Sequence, residues 1–447
     1  MRNGRDPDAV PEKAKQSGEA RPNWEWVEPE VWTERMLEAL EKGVKGGKWF
    51  SLIDKVYTPQ GLRAAYRRVA TNGGAAGVDH VSLEVFGENL DKEIGQLTKA
   101  LSEDTYRPQA IKRVYIPKPG QNEKRPLGIP TVRDRVVQAS VRQVIEPIFE
   151  QTFAPCSYGF RPGRGCRDAL REVDRLLKAG HGWVVDVDLR RFFDTLNHER
   201  LMKRVKERIS DGRMLKLIES FLEQEVTSEA EATVPEAGTP QGAVISPLLA
   251  NIYLNPLDHR LSEQGYKVVR YADDMVILCT GSAEAEQALR ELGEWVAAND
   301  LELHPTKTRL VNLNEPGEFL DFLGYRFKRT GKGNRLGRWP SPKSKKRLRG
   351  NLREHLRRTS GQSLERIIEQ INPKLKGWYG YFKHGHRSSF PEIDGWVRMR
   401  LRSILRKRTK RKGSGRGNAH QKWTNAFFAK QGLFSLARAF AVDIQSA

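Results

Sequence analysis

Apolar positions recur along the chain at two periods. Val31, Trp32, Met36, Leu37 and Leu40 fall at helical spacing, which predicts a helix between about residues 24 and 50. A second helix is predicted over 58–69, with Thr58 as its N-cap and Pro59 at the first helical position. Helical patterns return at 134–149 and 167–178 and run through RRFFDTLNHERLMKRVKERI, residues 190–209. From Ser341 the pattern is helical and basic throughout, with a Lys/Arg/Gly loop at 408–418. Strand signals are different in kind. The stretch YRPQAIKRVYIPKPGQNEKRPLGIPT, short β-rich pieces broken by Pro and Gly, predicts a hairpin. WVVDVDL, after Gly182, is a buried strand interrupted only by acids. GYKVVRYADDMVILCT, residues 265–280, has two apolar arms around a polar centre, a hairpin with Ala272, Asp273 and Asp274 near its tip.

At 447 residues the chain is long enough for two or three domains with real cores. No apolar run approaches the roughly 18 residues of a membrane span, so no membrane partner is expected. The first 23 residues lack an apolar h-region and read as a disordered arm, not a secretory signal. Cys156, Cys166 and Cys279 cannot make a disulfide framework and include no CxxC pair, which argues against an oxidising compartment and a structural zinc site. The charge balance changes the picture once it is divided. Lys and Arg number 77 against 56 Asp and Glu. Residues 338–447 hold 27 basic and 6 acidic residues, leaving 50 of each in the preceding 337. A neutral body with a strongly basic end is the electrostatic layout of a nucleic-acid partner. Trp378, Tyr379, Tyr381, Phe382 and Trp396 are interleaved there, to stack on unpaired bases or to pack the fold.

The acids carry the sharpest chemistry. Carboxylates inside apolar strands are expensive to bury unless something neutralises them. Asp186 and Asp188 lie two apart on a strand and share one face. Asp273 and Asp274 sit at a hairpin tip flanked by Val268, Val269, Val276, Ile277 and Leu278. If these strands are neighbours, the acids converge where two Mg²⁺ ions could bridge them and support an in-line phosphoryl displacement.

These stretches carry a resemblance. YADD resembles motif C of reverse transcriptases and VVDVDLRRFFDTLNH their motif A. AGTPQGAVISPLLANIYL is similar to motif B, LELHPTKTRLV to motif D, and EFLDFLGYRF to the strand pair that follows. VYIPKPGQNEKRPLGIPTVRDRVVQ and CSYGFRPGRGCRDAL resemble fingers motifs of the group II intron subfamily, and GWYGYFKHG with the basic helices resembles its maturase domain. The resemblance covers about residues 48–447 and is to group II intron-encoded reverse transcriptase/maturases of the bacterial type without an HNH endonuclease. It implies an α+β right-hand polymerase with an antiparallel sheet in fingers and palm, followed by an α-helical thumb or maturase region. The expected boundaries are an arm at 1–23, fingers with an extension at 24–180, palm at 181–335, thumb/maturase at 336–405 and a basic nucleic-acid-binding segment at 406–447.

Residue by residue, the resemblance implies Asp188, Asp273 and Asp274 as ligands of two Mg²⁺ ions, with Asp186 either supporting those ligands or structural. Phe193 matches the aromatic that blocks a ribose 2′-OH, a rigid ring that favours dNTPs by overlap. Lys118 and Arg125 match the pair that clamps the incoming triphosphate. Gln241 would lie against the nucleotide, and Gly242 would permit a close backbone approach. Lys307 matches a lysine proposed to protonate the leaving pyrophosphate. Arg161, Arg406, Lys407, Arg408, Lys410, Arg411 and Lys412 are assigned to nucleic acid. His384, His386 and His420 have no cysteine partners, so they are read as structural or RNA-facing, and primers would come from elsewhere. The implied function is copying intron RNA into cDNA and binding that RNA to promote splicing and mobility. The implied partners are group II intron RNA, an RNA template with DNA primer, dNTPs and target DNA. The implied place is the bacterial cytoplasm, at the nucleoid when acting on DNA. The alternative is a domesticated relative serving host DNA repair or phage defence.

Overall fold

The computed structural model describes residues 24–117, 124–227, 232–233, 237–240, 242–330, 335–409 and 417–445. The 1–23 arm, Lys118, Gln241, Lys410, Arg411 and Lys412 lie outside the described residues. The described chain forms two compact units. One takes in 24–117, 124–176 and 185–310, the other 177–184 and 311–445.

In the first unit the early helices form where the caps predict. Thr58 Oγ1 accepts from Gly61 N and opens the helix Pro59–Asn72. The apolar pattern of 24–50 yields a nine-residue α-helix, Glu34–Lys42, capped by Thr33, and a short 3-10 turn at Lys45–Gly47. Val31 and Trp32 are buried just ahead of it, with Trp32 Nε1 donating to Gln143 O at 3.0 Å. Gln143 belongs to the helix Val132–Glu150, which is buried almost all round. The helical pattern of 190–209 breaks in two. Arg191 turns left-handed at φ 48°, Phe192–Thr195 makes a single turn, and Asn197 caps a new helix, His198–Lys206, through Arg200 N. The break lets Leu196 bury completely while its carbonyl accepts from Gly238 N.

The strands run β1 (Ile111–Pro117), β2 (Lys124–Ile129), β3 (Trp183–Asp188), β4 (Val226–Thr227), β5 (Ala232–Thr233), β6 (Lys267–Tyr271), β7 (Asp274–Cys279) and β8 (Arg309–Asn312). β1 and β2 form the expected antiparallel hairpin, from Lys112↔Ile129 to Pro117↔Lys124. Its sheet is extended by β4, parallel to β1, and β5. The other sheet has the order β6-β7-β3-β8, so the acid-bearing hairpin lies directly beside the acid-bearing strand.

The second unit opens with an antiparallel sheet of β9 (Leu320–Phe322), β10 (Tyr325–Thr330) and β11 (Arg335–Pro340), in the order β11-β10-β9. The helices Pro342–Arg353, Leu364–Phe382 and Ser389–Arg408 follow. Their apolar faces share a core that includes Leu352, Ile367, Ile371, Leu375, Ile393, Val397 and Leu401. The interleaved aromatics belong to this interior: Tyr379 and Phe382 are buried, and Trp378 and Trp396 pack against the core. Tyr381 reaches Leu323 O through its hydroxyl at 2.8 Å. Among the described residues no helix is long and apolar enough to cross a membrane.

Candidate active site

The β6–β7 register pairs Tyr271 with Asp274, leaving Ala272 and Asp273 as a two-residue turn. Ala272 is left-handed at φ 58°, as the first residue of such a tight turn requires. On β3 the side chains alternate: Val185 and Val187 are buried, Asp186 and Asp188 half-buried on the other face. Asp273 is half-buried and Asp274 is exposed at the start of β7. Burial pushes the Asp273 carboxyl above its ordinary value; the Arg125 charge on β2 opposes this and the Asp188 carboxylate adds to it. Arg125 and Asp188 therefore both act on Asp273 through space.

A side chain and a backbone amide converge on Asp188. Lys307 Nζ lies 3.1 Å from its Oδ2, and His304 N donates to its carbonyl at 2.8 Å. Asp186 is paired instead with Arg309 Nε at 3.2 Å. The two phenylalanines separate as well: Phe192 is 2% exposed and packs edge-on against Tyr253, whereas Phe193 is half-buried. The carbonyl of Phe193 accepts from Thr239 N at 2.7 Å, which ties it to the Pro-Gln-Gly turn. Gly242 in that turn has φ 115°, and a Cβ there would lie 2.6 Å from Gly128 O. The close approach that glycine permits here is thus to strand β2, the strand that carries Arg125.

Arg161 requires a correction. Expected at nucleic acid, it is 7% exposed and its donors are committed to the protein. It meets Glu150 through Nε and Nη2 and donates from Nη1 to Ala154 O and Ser157 O at 2.7 and 3.0 Å. Of the remaining cations of that group, the described ones lie in the second unit. Arg406, Lys407 and Arg408 end the helix Ser389–Arg408, and Arg408 Nη2 donates to Gln362 O. Sequence reasoning passes over Arg270, which is fully buried beside the Tyr-Ala-Asp-Asp turn. Its one local signal is a charge within an apolar strand arm.

The donor set suits a hard divalent cation, since Asp188, Asp273 and Asp274 offer only carboxylate oxygens from adjoining strands. A carboxyl whose ionisation is opposed by burial and by a second carboxylate also gains from a bound cation. Among the described residues no three His, Cys, Asp or Glu side chains form a preformed metal cluster. Mg²⁺ takes one or two protein carboxylates together with substrate phosphates, so it does not need one.

Two family models match the chain: "Reverse transcriptase (RNA-dependent DNA polymerase)" over residues 116–327 and "Group II intron, maturase-specific domain" over 345–423. Protein YkfC of Escherichia coli (strain K12) is 34% identical over 316 residues, covering 62% of this chain and 82% of YkfC. Group II intron-encoded protein LtrA of Lactococcus lactis subsp. cremoris is 31% identical over 361 residues, covering 64% of this chain. The chain spans 59% of LtrA's own length. Among solved structures, a chain of a partial Cas6-RT-Cas1–Cas2 complex is 25% identical, with 55% of this chain and 42% of that chain covered and a TM-score of 0.36.

Proposed function

The chain belongs to the group II intron reverse transcriptase/maturase family, and from that premise we propose that it copies intron RNA into cDNA and binds that RNA to promote splicing and mobility. The reaction adds a dNTP to a DNA primer 3′-OH on an RNA template. The maturase part is a binding activity that stabilises the splicing-competent RNA. The proposed setting is the bacterial cytoplasm, at the nucleoid when target DNA is engaged.

One observation supports the polymerase reading: in the order β6-β7-β3 the hairpin that carries Asp273 adjoins the strand that carries Asp188, and the Asp188 charge acts on Asp273. Asp188, Asp273 and Asp274 would hold two divalent ions, which when bound lower the cost of forming the attacking oxyanion and offset charge on the triphosphate. Arg125, with Lys118, binds and orients the triphosphate and neutralises charge that builds on it. Phe193 fills the space a ribose 2′-OH would need. Lys307, paired with Asp188, brings an ammonium proton to the leaving pyrophosphate. Gln241 and Gly242 border the nucleotide. Six terminal-region cations, Arg406 to Arg408 and Lys410 to Lys412, neutralise RNA phosphates.

The test is Asp273→Asn in primer extension. Removing a metal ligand should abolish dNTP incorporation and leave RNA affinity nearly unchanged, because affinity comes from distant cations. Full activity in that variant overturns the reading.

A further inference from the structure

Behind the Asp273 turn lies a buried network that the chemistry above does not use. Arg270 on β6 is 0% exposed, and its guanidinium is shared among four partners. Nε donates to the two Asp258 oxygens at 2.7 and 3.0 Å, and Nη2 bonds Asp258 as well. Nη2 also reaches Ser157 Oγ at 2.8 Å, and Nη1 reaches Asn251 Oδ1 and Ala272 O, each at 2.9 Å. Asp258 and Asn251 stand on the helix Ser246–Glu263. Ser157 stands on a segment running beside β6, where Arg270 N donates to Cys156 O at 2.9 Å and Tyr158 N to Arg270 O at 2.8 Å. The segment's far end is pinned by Arg161, whose bonds to Ala154 O and Ser157 O explain why that arginine is buried.

The same segment presses on the turn from its other side. A Cβ at Gly159 would lie 2.3 Å from Ala272 N and 2.9 Å from Tyr271 C, while Asn251 Nδ2 holds Gly159 O at 2.8 Å. Ala272 is thus gripped at its carbonyl by Arg270 and closed in at its amide by Gly159. It is also the residue whose left-handed φ of 58° directs the chain into Asp273. Such a conformation persists in a residue with a Cβ when its surroundings over-determine it.

We propose that Arg270, with Ser157 and Gly159, is a positioning brace that sets the Ala272 backbone and so the place of the Asp273 carboxylate relative to Asp188. The inference rests on the reading that Asp273 serves polymerisation. Stability alone does not call for this arrangement, because a buried ion pair is often matched by apolar side chains of similar volume. Apolar side chains would not hold the Ala272 carbonyl. A misplacement of about 1 Å in a reacting site can cost on the order of 100-fold in rate.

The sharpest variant is Gly159→Ala in the full chain, which drives one methyl against Ala272 N and leaves every buried charge paired. We expect kcat for primer extension to fall at least about tenfold. The KM for dNTP and the RNA Kd should stay within about twofold. Two readouts need no turnover: amide exchange at Ala272 and Asp273 should quicken, and Mn²⁺ affinity, titrated by electron paramagnetic resonance, should weaken. Ser157→Ala removes one Arg270 bond and should move each quantity the same way by less. Arg270→Lys should recover part of what Arg270→Met loses. Wild-type kcat and exchange in Gly159→Ala overturn the brace. A fall in kcat matched by an equal loss of RNA binding also overturns it, since that is general unfolding. Should Asp273→Asn extend primers normally, the polymerase reading fails, while the exchange measurement still judges the brace.

Discussion

In the first unit the arginines richest in bonds point inward. Arg270 meets Asp258, Asn251, Ser157 and the Ala272 carbonyl, and Arg161 meets Glu150 and two carbonyls. In the second unit the helix Pro342–Arg353 carries Lys343, Lys345, Lys346, Arg347, Arg349 and Arg353 and no acid. Lys345 and Arg349 share one countercharge, Glu392, at 2.6 and 2.7 Å. Burial works against ionisation of Glu392, yet those two cations hold its carboxyl below the usual range. A neutral region can therefore be dense in cations whose positions are dictated by folding. A region with surplus charge has too few acids to engage its cations, and the remainder is available to phosphate.

Arg161→Ala is the variant most able to break this contrast. Loss of the guanidinium leaves Glu150 and two carbonyls short of donors, which should cost about 3–5 kcal/mol in chemical denaturation. RNA affinity of the folded protein should be unchanged. A stable variant with weakened RNA binding would return Arg161 to the nucleic-acid group. Next in size is exchange of Arg406, Lys407, Arg408, Lys410, Arg411 and Lys412 for Gln. Each lost phosphate contact should reduce the log–log salt slope by about 0.7–0.9. Extension on a short pre-annealed template should largely survive. An unchanged slope in filter binding would make the cluster a solvated face.

Phe193→Ala should raise rNTP use relative to dNTP, by roughly tenfold or more if its ring is the barrier to the 2′-OH. An unaltered ratio in single-nucleotide kinetics would place Phe193 with Phe192 in the core. A pH-dependent effect is expected at Asp211, whose carboxylate accepts from Leu52, Ile53, Arg213 and Met214 N. Burial opposes its ionisation, but these four donors hold the carboxyl below its ordinary value. The stabilisation is therefore complete above the unfolded-state pKa and is lost as pH falls through the lower folded-state value. Asp211→Asn should cost about 1–3 kcal/mol at neutral pH, and the gap from wild type should close on acidification in thermal melts.

Features set by nearby residues were legible in the sequence. Thr58 and Pro59 announce their helix, and the polar centre of 265–280 announces a hairpin whose turn proves to be Ala272–Asp273. Where distant partners decide, local patterns mislead. Residues 190–209 read as one helix, but Leu196 is drawn into the core and Asn197 starts afresh. β4 is two residues long and exists as a strand because β1 lies alongside it. The interleaved aromatics gave equal support to stacking and packing until Tyr379 and Phe382 were seen inside the core. Arg270 escapes a local reading because its acid lies 12 residues back and its serine 113.

Those separations also impose an order on synthesis. The bonds that shape the 154–161 segment, from Arg161 to Glu150, Ala154 and Ser157, span 11, 7 and 4 residues and can close as soon as that stretch leaves the ribosome. The bond from Ser157 to Arg270 spans 113 residues, and that from Gln109 O to Gln224 spans 115. At about 5–20 residues per second, each must wait roughly 6–23 s after its first half emerges. The nascent chain can thus carry the local bonds of 154–161 long before the Tyr271 to Asp274 turn arrives, whereas Asn251 and Asp258, which complete its surroundings, precede Arg270 by only 19 and 12 residues.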